Sequence, residues 1–246
     1  MIRSRSLPTA LVLLTLLATP ALRAQDATAP ENPWEGSLGL SALITSGNSD
    51  TQSLGADVAF KRKPMPWGLE VTAQFARVED QGVKTAERYL ARLRGERMLD
   101  ERWSLFAGAG FEQDKFAGFD RRTVIEAGGK YGALLGPVHE LSFDAGLTWT
   151  REEFVSGLDD DYLGALFGLA YAWKISDTAK LTERLVTYPN LDDSNDWRLT
   201  SETALQADLN SRLALKLGYL LRYDHQPPPG FEDTDTTTTV SLVVKL

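Results

Sequence analysis

Arg88, Arg92 and Arg94 stand at even positions of a single segment. In an extended chain successive side chains alternate between two faces, so all three guanidinium groups project from one side. Such a row either attracts anions or is neutralised by carboxylates within reach. Antiparallel folding supplies the carboxylates. A reversal about Asp80–Lys84 sets Arg94 near Glu70, and one about Asp100-Glu101 sets Arg92 and Arg94 near Gly108 and Gly110. A further reversal about Ala117-Gly118 brings Glu126 opposite those two glycines. The glycines leave an empty lane, and strands two apart are separated by roughly 9–10 Å, a gap that an arginine and a glutamate can bridge. The expected arrangement is an interior charge network of Arg88, Arg92, Arg94, Glu70 and Glu126. Pairing is favoured over free arginines, since an isolated charge in a poorly hydrated interior is costly.

Other chemistry has less to work with. The sequence holds 2 His and 0 Cys, which excludes a disulfide framework and thiolate metal ligation. His225 is the one candidate base for a lipid hydrolase working at an outer surface, and Ser201 is the serine that shares its orientation. Folding about Asn210-Ser211 leaves the two roughly 16 Å apart, at ~3.3 Å per residue, beyond hydrogen-bond reach. His139 falls at a turn on the opposite end. The acidic runs Asp159-Asp160-Asp161 and Asp192-Asp193 offer oxygen ligands for Ca²⁺ or Mg²⁺, but they lack the alternating Asp-x-Asp-x-Asp-Gly spacing and read as solvated loops. No catalytic, cofactor-binding or metal site is expected. A formal net charge of -8 argues against nucleic acid as a partner.

The arginines are positioned by a period of two that runs through the chain from Trp34. Leu38, Leu40 and Ala42 alternate with Ser37, Gly39 and Ser41, and Leu141, Phe143, Ala145, Leu147 and Trp149 alternate with Glu140, Ser142, Asp144, Thr148 and Thr150. An amphipathic helix would scramble that pattern, whereas a strand with one apolar face requires it. About twelve strands follow, over 34–45, 53–63, 68–79, 85–98, 103–114, 121–134, 139–151, 161–174, 180–188, 197–209, 213–223 and 235–246. One set of connections is tight, and three of these share a local repeat, Leu99-Asp100, Ser176-Asp177 and Leu209-Asn210. The other set is mostly longer and acidic, including Arg151–Asp161, Asn190–Asp196 and Asp224–Thr234. Short turns at one end and longer loops at the other mark a bacterial transmembrane barrel.

The tryptophans point the same way. Trp34, Trp67, Trp103 and Trp173 fall at the tight-turn end, and Trp149 and Trp197 at the long-loop end. All but Trp67, placed in its turn, share the apolar parity, so the rings draw two aromatic girdles at headgroup level. Leu147 then faces lipid and Thr148 the lumen, and an arginine should be costly at the first and better tolerated at the second. A hydrophobic content of 43% and a charged content of 24% are the average of two such opposed faces. The reading is an all-β, antiparallel transmembrane barrel over 34–246, after a short lead-in at 25–33. Residues 1–24 have the charged start, the leucine-rich run and the small residues of a cleaved secretory signal peptide.

Trp34-Glu35-Gly36, the hairpin Thr45-Ser46-Gly47-Asn48-Ser49-Asp50-Thr51 and the loop Pro228-Pro229-Gly230 before the last strand carry a resemblance. In them the chain resembles the YdiY-like family of outer-membrane proteins described as salt-induced, a domain of unknown function. The similarity covers Trp34 to Leu246. It implies a bacterial outer-membrane barrel associated with salt or osmotic conditions, with no substrate and no catalytic residues to carry over. The expected function is a narrow passive channel or structural barrel. The alternatives are an outer-membrane lipid-modifying enzyme and a surface adhesion or anchoring barrel. Expected partners are outer-membrane lipids, lipopolysaccharide and the barrel-assembly machinery.

Overall fold

The computed structural model describes residues 33–44, 51–64 and 66–246. The expected signal peptide at 1–24, most of the expected lead-in and the expected hairpin at Gly47-Asn48-Ser49 lie outside the described residues. Twelve strands run in order: β1 (Trp34–Ile44), β2 (Thr51–Arg62), β3 (Trp67–Asp80), β4 (Val83–Met98), β5 (Trp103–Asp114), β6 (Phe119–Leu135), β7 (His139–Phe154), β8 (Asp159–Lys174), β9 (Ala179–Pro189), β10 (Trp197–Asp208), β11 (Leu213–Asp224) and β12 (Thr234–Lys245). Each pairs antiparallel with its sequence neighbours, and β1 closes on β12 through Ser37↔Lys245 to Leu40↔Leu242. Closure leaves no free sheet edge, the condition for crossing a membrane with strands.

The period of two decides which way each residue points. Leu147 is 65% exposed on the outside of β7, and Leu163, Phe167, Leu205 and Leu217 form part of the same outward apolar surface. Inward positions are treated differently from place to place. Thr148, expected to line an open lumen, is only 3% exposed, and its Oγ1 has no hydrogen-bond partner. Behind it Phe106, Leu166 and Val186 form an apolar cluster inside the barrel, joined by Tyr188. Gly128 and Gly146 face each other across β6 and β7, and a Cβ on Gly128 would lie 2.2 Å from the Ala145 carbonyl oxygen and 2.7 Å from the Phe106 ring. The β5–β8 wall is therefore filled rather than wet.

The turn end reuses one geometry three times. The backbone N–H groups of Leu99 and Asp100 donate to Trp103 O, those of Ile175 and Ser176 to Ala179 O, and those of Leu209 and Asn210 to Leu213 O. The matched positions are Asp100, Ser176 and Asn210, so the expected repeat is shifted by one residue at Ser176-Asp177. The reason is the side-chain acceptor at that position. Asp100 Oδ1 accepts from the N–H of Arg102 and Trp103, Ser176 Oγ from Thr178, and Asn210 Oδ1 from Arg212 and Leu213. The two N–H donors hold the Asp100 carboxyl below its ordinary range.

Two expectations about strand ends are corrected. The stretch 151–161 is no long loop: β7 and β8 continue pairing through Glu153↔Asp159, leaving 155–158 as the turn. Arg151 meets Asp159 at 3.0 Å, so cross-strand pairing offsets the acidic run. Trp67 is not in a turn but opens β3 on the apolar parity, exposed, with the Arg97 guanidinium 5.2 Å from its ring centroid. Between β3 and β4 the chain reverses through Gln81 (φ 51) and Gly82 (φ 75), the paired positive φ values of a two-residue hairpin.

Candidate functional site: the charged lumen

A charged cluster fills the loop-end half of the lumen. Glu112 accepts from Arg88 Nε at 2.8 Å and Arg222 Nη1 at 3.2 Å, with Arg122 Nη1 at 3.7 Å. Arg222 also reaches Asp114 at 2.9 Å and Asp235 at 3.2 Å. Arg122 Nε donates to Glu152 at 2.6 Å, and its Nη2 lies 3.5 Å from Asp224. Arg198 Nη1 and the Tyr162 hydroxyl share the same Glu152 oxygen at 3.3 and 3.2 Å. In a closed ring of twelve strands β5 stands opposite β11, so Arg222 to Glu112 and Asp114 spans the lumen rather than one wall. Arg122 on β6 to Asp224 on β11 crosses nearly the full width too. Above them, the 225–233 loop leans on the 3₁₀ turn Lys115–Ala117, since a Cβ on Gly118 (φ +92) would meet Pro228 at 2.8 Å and Phe231 at 3.0 Å.

A second level lies nearer the middle. Arg94 Nη2 donates to Asp144 at 2.8 Å, Nη1 lies 3.6 Å from Glu126, and the guanidinium carbon sits 3.6 Å from the Phe106 ring centroid. Each charged partner is about nine-tenths buried. A cavity of about 330 Å³ runs beside this level, from Glu70 and Lys216 below to Pro227, Pro228 and Asp233 in the loop above.

The register sets Arg94 opposite Glu70, Arg92 opposite Gly110, and Gly108 opposite Glu126. The structure brings Arg94 and Glu126 together. Glu70 instead lies 3.9 Å from Lys61, because Arg94 turns toward the lane over Gly108 and leaves its cross-strand neighbour. Arg88 pairs with Glu112, and Arg92 makes no ion pair or hydrogen bond among the described residues. Sequence reasoning missed Glu112, Asp114, Arg122, Asp144, Glu152, Arg198, Arg222 and Asp224. All but the strand-end pair were open to the same parity count that found Arg88, because each stands at an even position of its strand. What no parity count supplies is which walls face each other.

The other candidates are engaged elsewhere. Ser201 donates to Glu183 at 2.8 Å, and the Thr203 hydroxyl donates to the second oxygen of that carboxyl. His225 bonds the Tyr223 hydroxyl at 2.8 Å and stacks on Trp197, and His139 bonds the Tyr171 hydroxyl. Ser201 and His225 share no hydrogen bond among the described residues. Among the described residues no three His, Asp or Glu side chains converge as metal ligands. Trp34, Trp103 and Trp173 are exposed at the turn end with Trp67, while Trp149 and Trp197 are half-buried at the loop end, where Trp149 Nε1 donates to Asp161.

Residues 38–246 match the family described as "Protein of unknown function, DUF481". The chain is 31% identical over 221 residues to the uncharacterized protein YdiY of Escherichia coli (strain K12), covering 88% of this chain and 85% of that protein. Among solved structures it is similar to an outer membrane channel, COG4313, from Pseudomonas putida F1, with a TM-score of 0.54 and 12% identity over 91% of this chain and 100% of that one. It is also similar to the NanC porin, with a TM-score of 0.50 and 11% identity over 86% of this chain and 97% of that one. These likenesses are of fold.

Proposed function

The chain belongs to the DUF481 family and is an outer-membrane β-barrel, and we propose that it works as a narrow passive channel whose loop-end mouth is held shut by ion pairs. The observation that carries this reading is the set of bridges from Arg222 to Glu112 and Asp114, and from Arg122 to Asp224, laid across the lumen at the loop-end part of the cavity. Barrels that serve only as anchors have no need of a cavity reaching from Glu70 to the mouth loop. A closure made of charges responds to salt, because ions entering the lumen compete for and screen the same groups. That response gives the salt association of the resemblance a physical basis. On this reading residues 1–24 are a leader removed on export, the barrel-assembly machinery inserts the rest, and the apolar band meets lipid and lipopolysaccharide.

The test is single-channel recording of the refolded barrel in planar bilayers over a series of KCl concentrations. Conductance should rise more steeply than the bulk conductivity of the salt, and Arg222→Gln should conduct at low salt where the parent does not. No conductance at any concentration, or a conductance strictly proportional to salt in both proteins, refutes the reading.

A further inference from the structure

The buried arginines of the lumen do not all use their donors. Arg198 is 8% exposed, and only its Nη1 finds a carboxylate; Nε and Nη2 are buried with no hydrogen-bond partner. The carboxylate it does find, Glu152, is also the acceptor for Arg122 and Tyr162, so Arg198 shares its one ion-pair partner with a second cation. Arg92, on the opposite side of the barrel, lines the cavity without an ion pair among the described residues. The acids around it are already committed: Glu112 to Arg88, Arg122 and Arg222, and Glu126 to Arg94. Tyr188 lies beside one of them: its ring centroid is 5.5 Å from the Arg198 guanidinium carbon, and its hydroxyl makes no hydrogen bond among the described residues. All three side chains border the same cavity.

The geometry points to an anion-binding site between Arg92, Arg198 and Tyr188, taking one small oxyanion such as a carboxylate or phosphate group. A guanidinium presents parallel N–H donors that match two oxygens of such a group, and donors left unsatisfied in a largely dry interior are what an anion repays. Spherical or neutral solutes cannot use the fork. Elsewhere along the cavity Lys61 meets Glu70 and Lys216 reaches Glu202 at 4.0 Å, while Arg184, cross-strand from Glu202, adds to the excess with no ion pair among the described residues. As a substrate class this deepens the channel reading and rests on it for any transport consequence, but binding itself requires no open pore.

The experiment is therefore a binding one, on the refolded barrel in detergent, by calorimetric titration with inorganic phosphate and separately with acetate, and with glucose as a neutral control. One phosphate or acetate per barrel is expected, with no heat from glucose. Arg92→Gln breaks no ion pair and should keep the boiling-dependent gel shift of a folded barrel while weakening binding at least tenfold. Tyr188→Phe should weaken it severalfold. No binding of either anion to the parent, or equal affinity in Arg92→Gln, overturns the site. A protein that binds but never conducts refutes the channel alone, and one that conducts without binding refutes the site alone.

Discussion

The outer and inner faces of this barrel are written by the same alternation yet obey different rules. On the outside each residue answers to lipid alone, so Leu147 at 65% exposure and Leu163 beside it need only be apolar. On the inside a residue answers to the opposite wall. Thr148 and Thr150 are sealed behind Phe106 and Leu166, whereas Glu70 on β3 borders open space. Both walls are polar by sequence. What separates them is the small-residue lane of Gly108, Gly128 and Gly146, over which Glu126, Phe106 and the facing backbone settle. Removing side chains from one wall lets its neighbours fill the lumen there and leaves the remaining space on the other side.

The inner face should break first and hardest at Arg94. Its guanidinium serves both Asp144 and Glu126 in the filled part of the barrel. Arg94→Ala leaves two buried carboxylates without their cation, and losing one partner of a buried pair costs about 3–5 kcal/mol. A urea refolding titration should show that loss in full, and Arg94→Ala combined with Asp144→Asn and Glu126→Gln should recover part of it. If the single variant unfolds with the parent, the filled wall is not held by charge.

The outer face should respond to depth rather than to partners. Leu147→Arg on the mid-strand lipid face should cost about 2–4 kcal/mol. Thr148→Arg would be mild if every inward position were wet, but its buried Oγ1 and the Gly164 backbone beside it leave no room, a Cβ on Gly164 lying 2.7 Å from that oxygen. Overpacking there should cost about 1–3 kcal/mol, so the two variants fall within a factor of two, whereas an arginine at Gln74, on the cavity side, should be nearly silent. Equal losses at all three positions would erase the distinction between filled and open walls.

How much of this was legible beforehand follows from the same contrast. Strand existence, parity and nearest-neighbour register need only local pattern. Trp103 to Asp114 and Leu213 to Asp224 were placed to within one residue for that reason. Arg94 beside Glu126 was reachable because two successive hairpins fix it. Arg222 over Glu112 was not, since residues 110 apart meet only once the ring has closed and its diameter is set. The ends of β7 and β8 were misread for a related reason. Asp159 and Asp160 look like loop residues until the partners Glu153 and Glu152 are known to continue the ladder.

An exception on the outer face should respond more mildly than Arg94. Glu183 lies on the outward parity of β9, between the exposed Leu185 above and Leu181 below, four residues from the turn end at Ala179 and six from Pro189. At ~3.3 Å per residue it is well inside the apolar band at either distance. A carboxyl group there is tolerated because both oxygens are occupied: Ser201 donates to one at 2.8 Å and Thr203, its cross-strand partner, to the other. Removing both donors in Ser201→Ala with Thr203→Val should leave the group unsatisfied and cost about 1–3 kcal/mol. The same pair of changes made on Glu183→Leu should cost almost nothing, so a double-mutant cycle in refolding titrations isolates the coupling. A cycle that closes with no coupling would mean that the hydroxyls do not stabilise the carboxyl, and that something outside the barrel must.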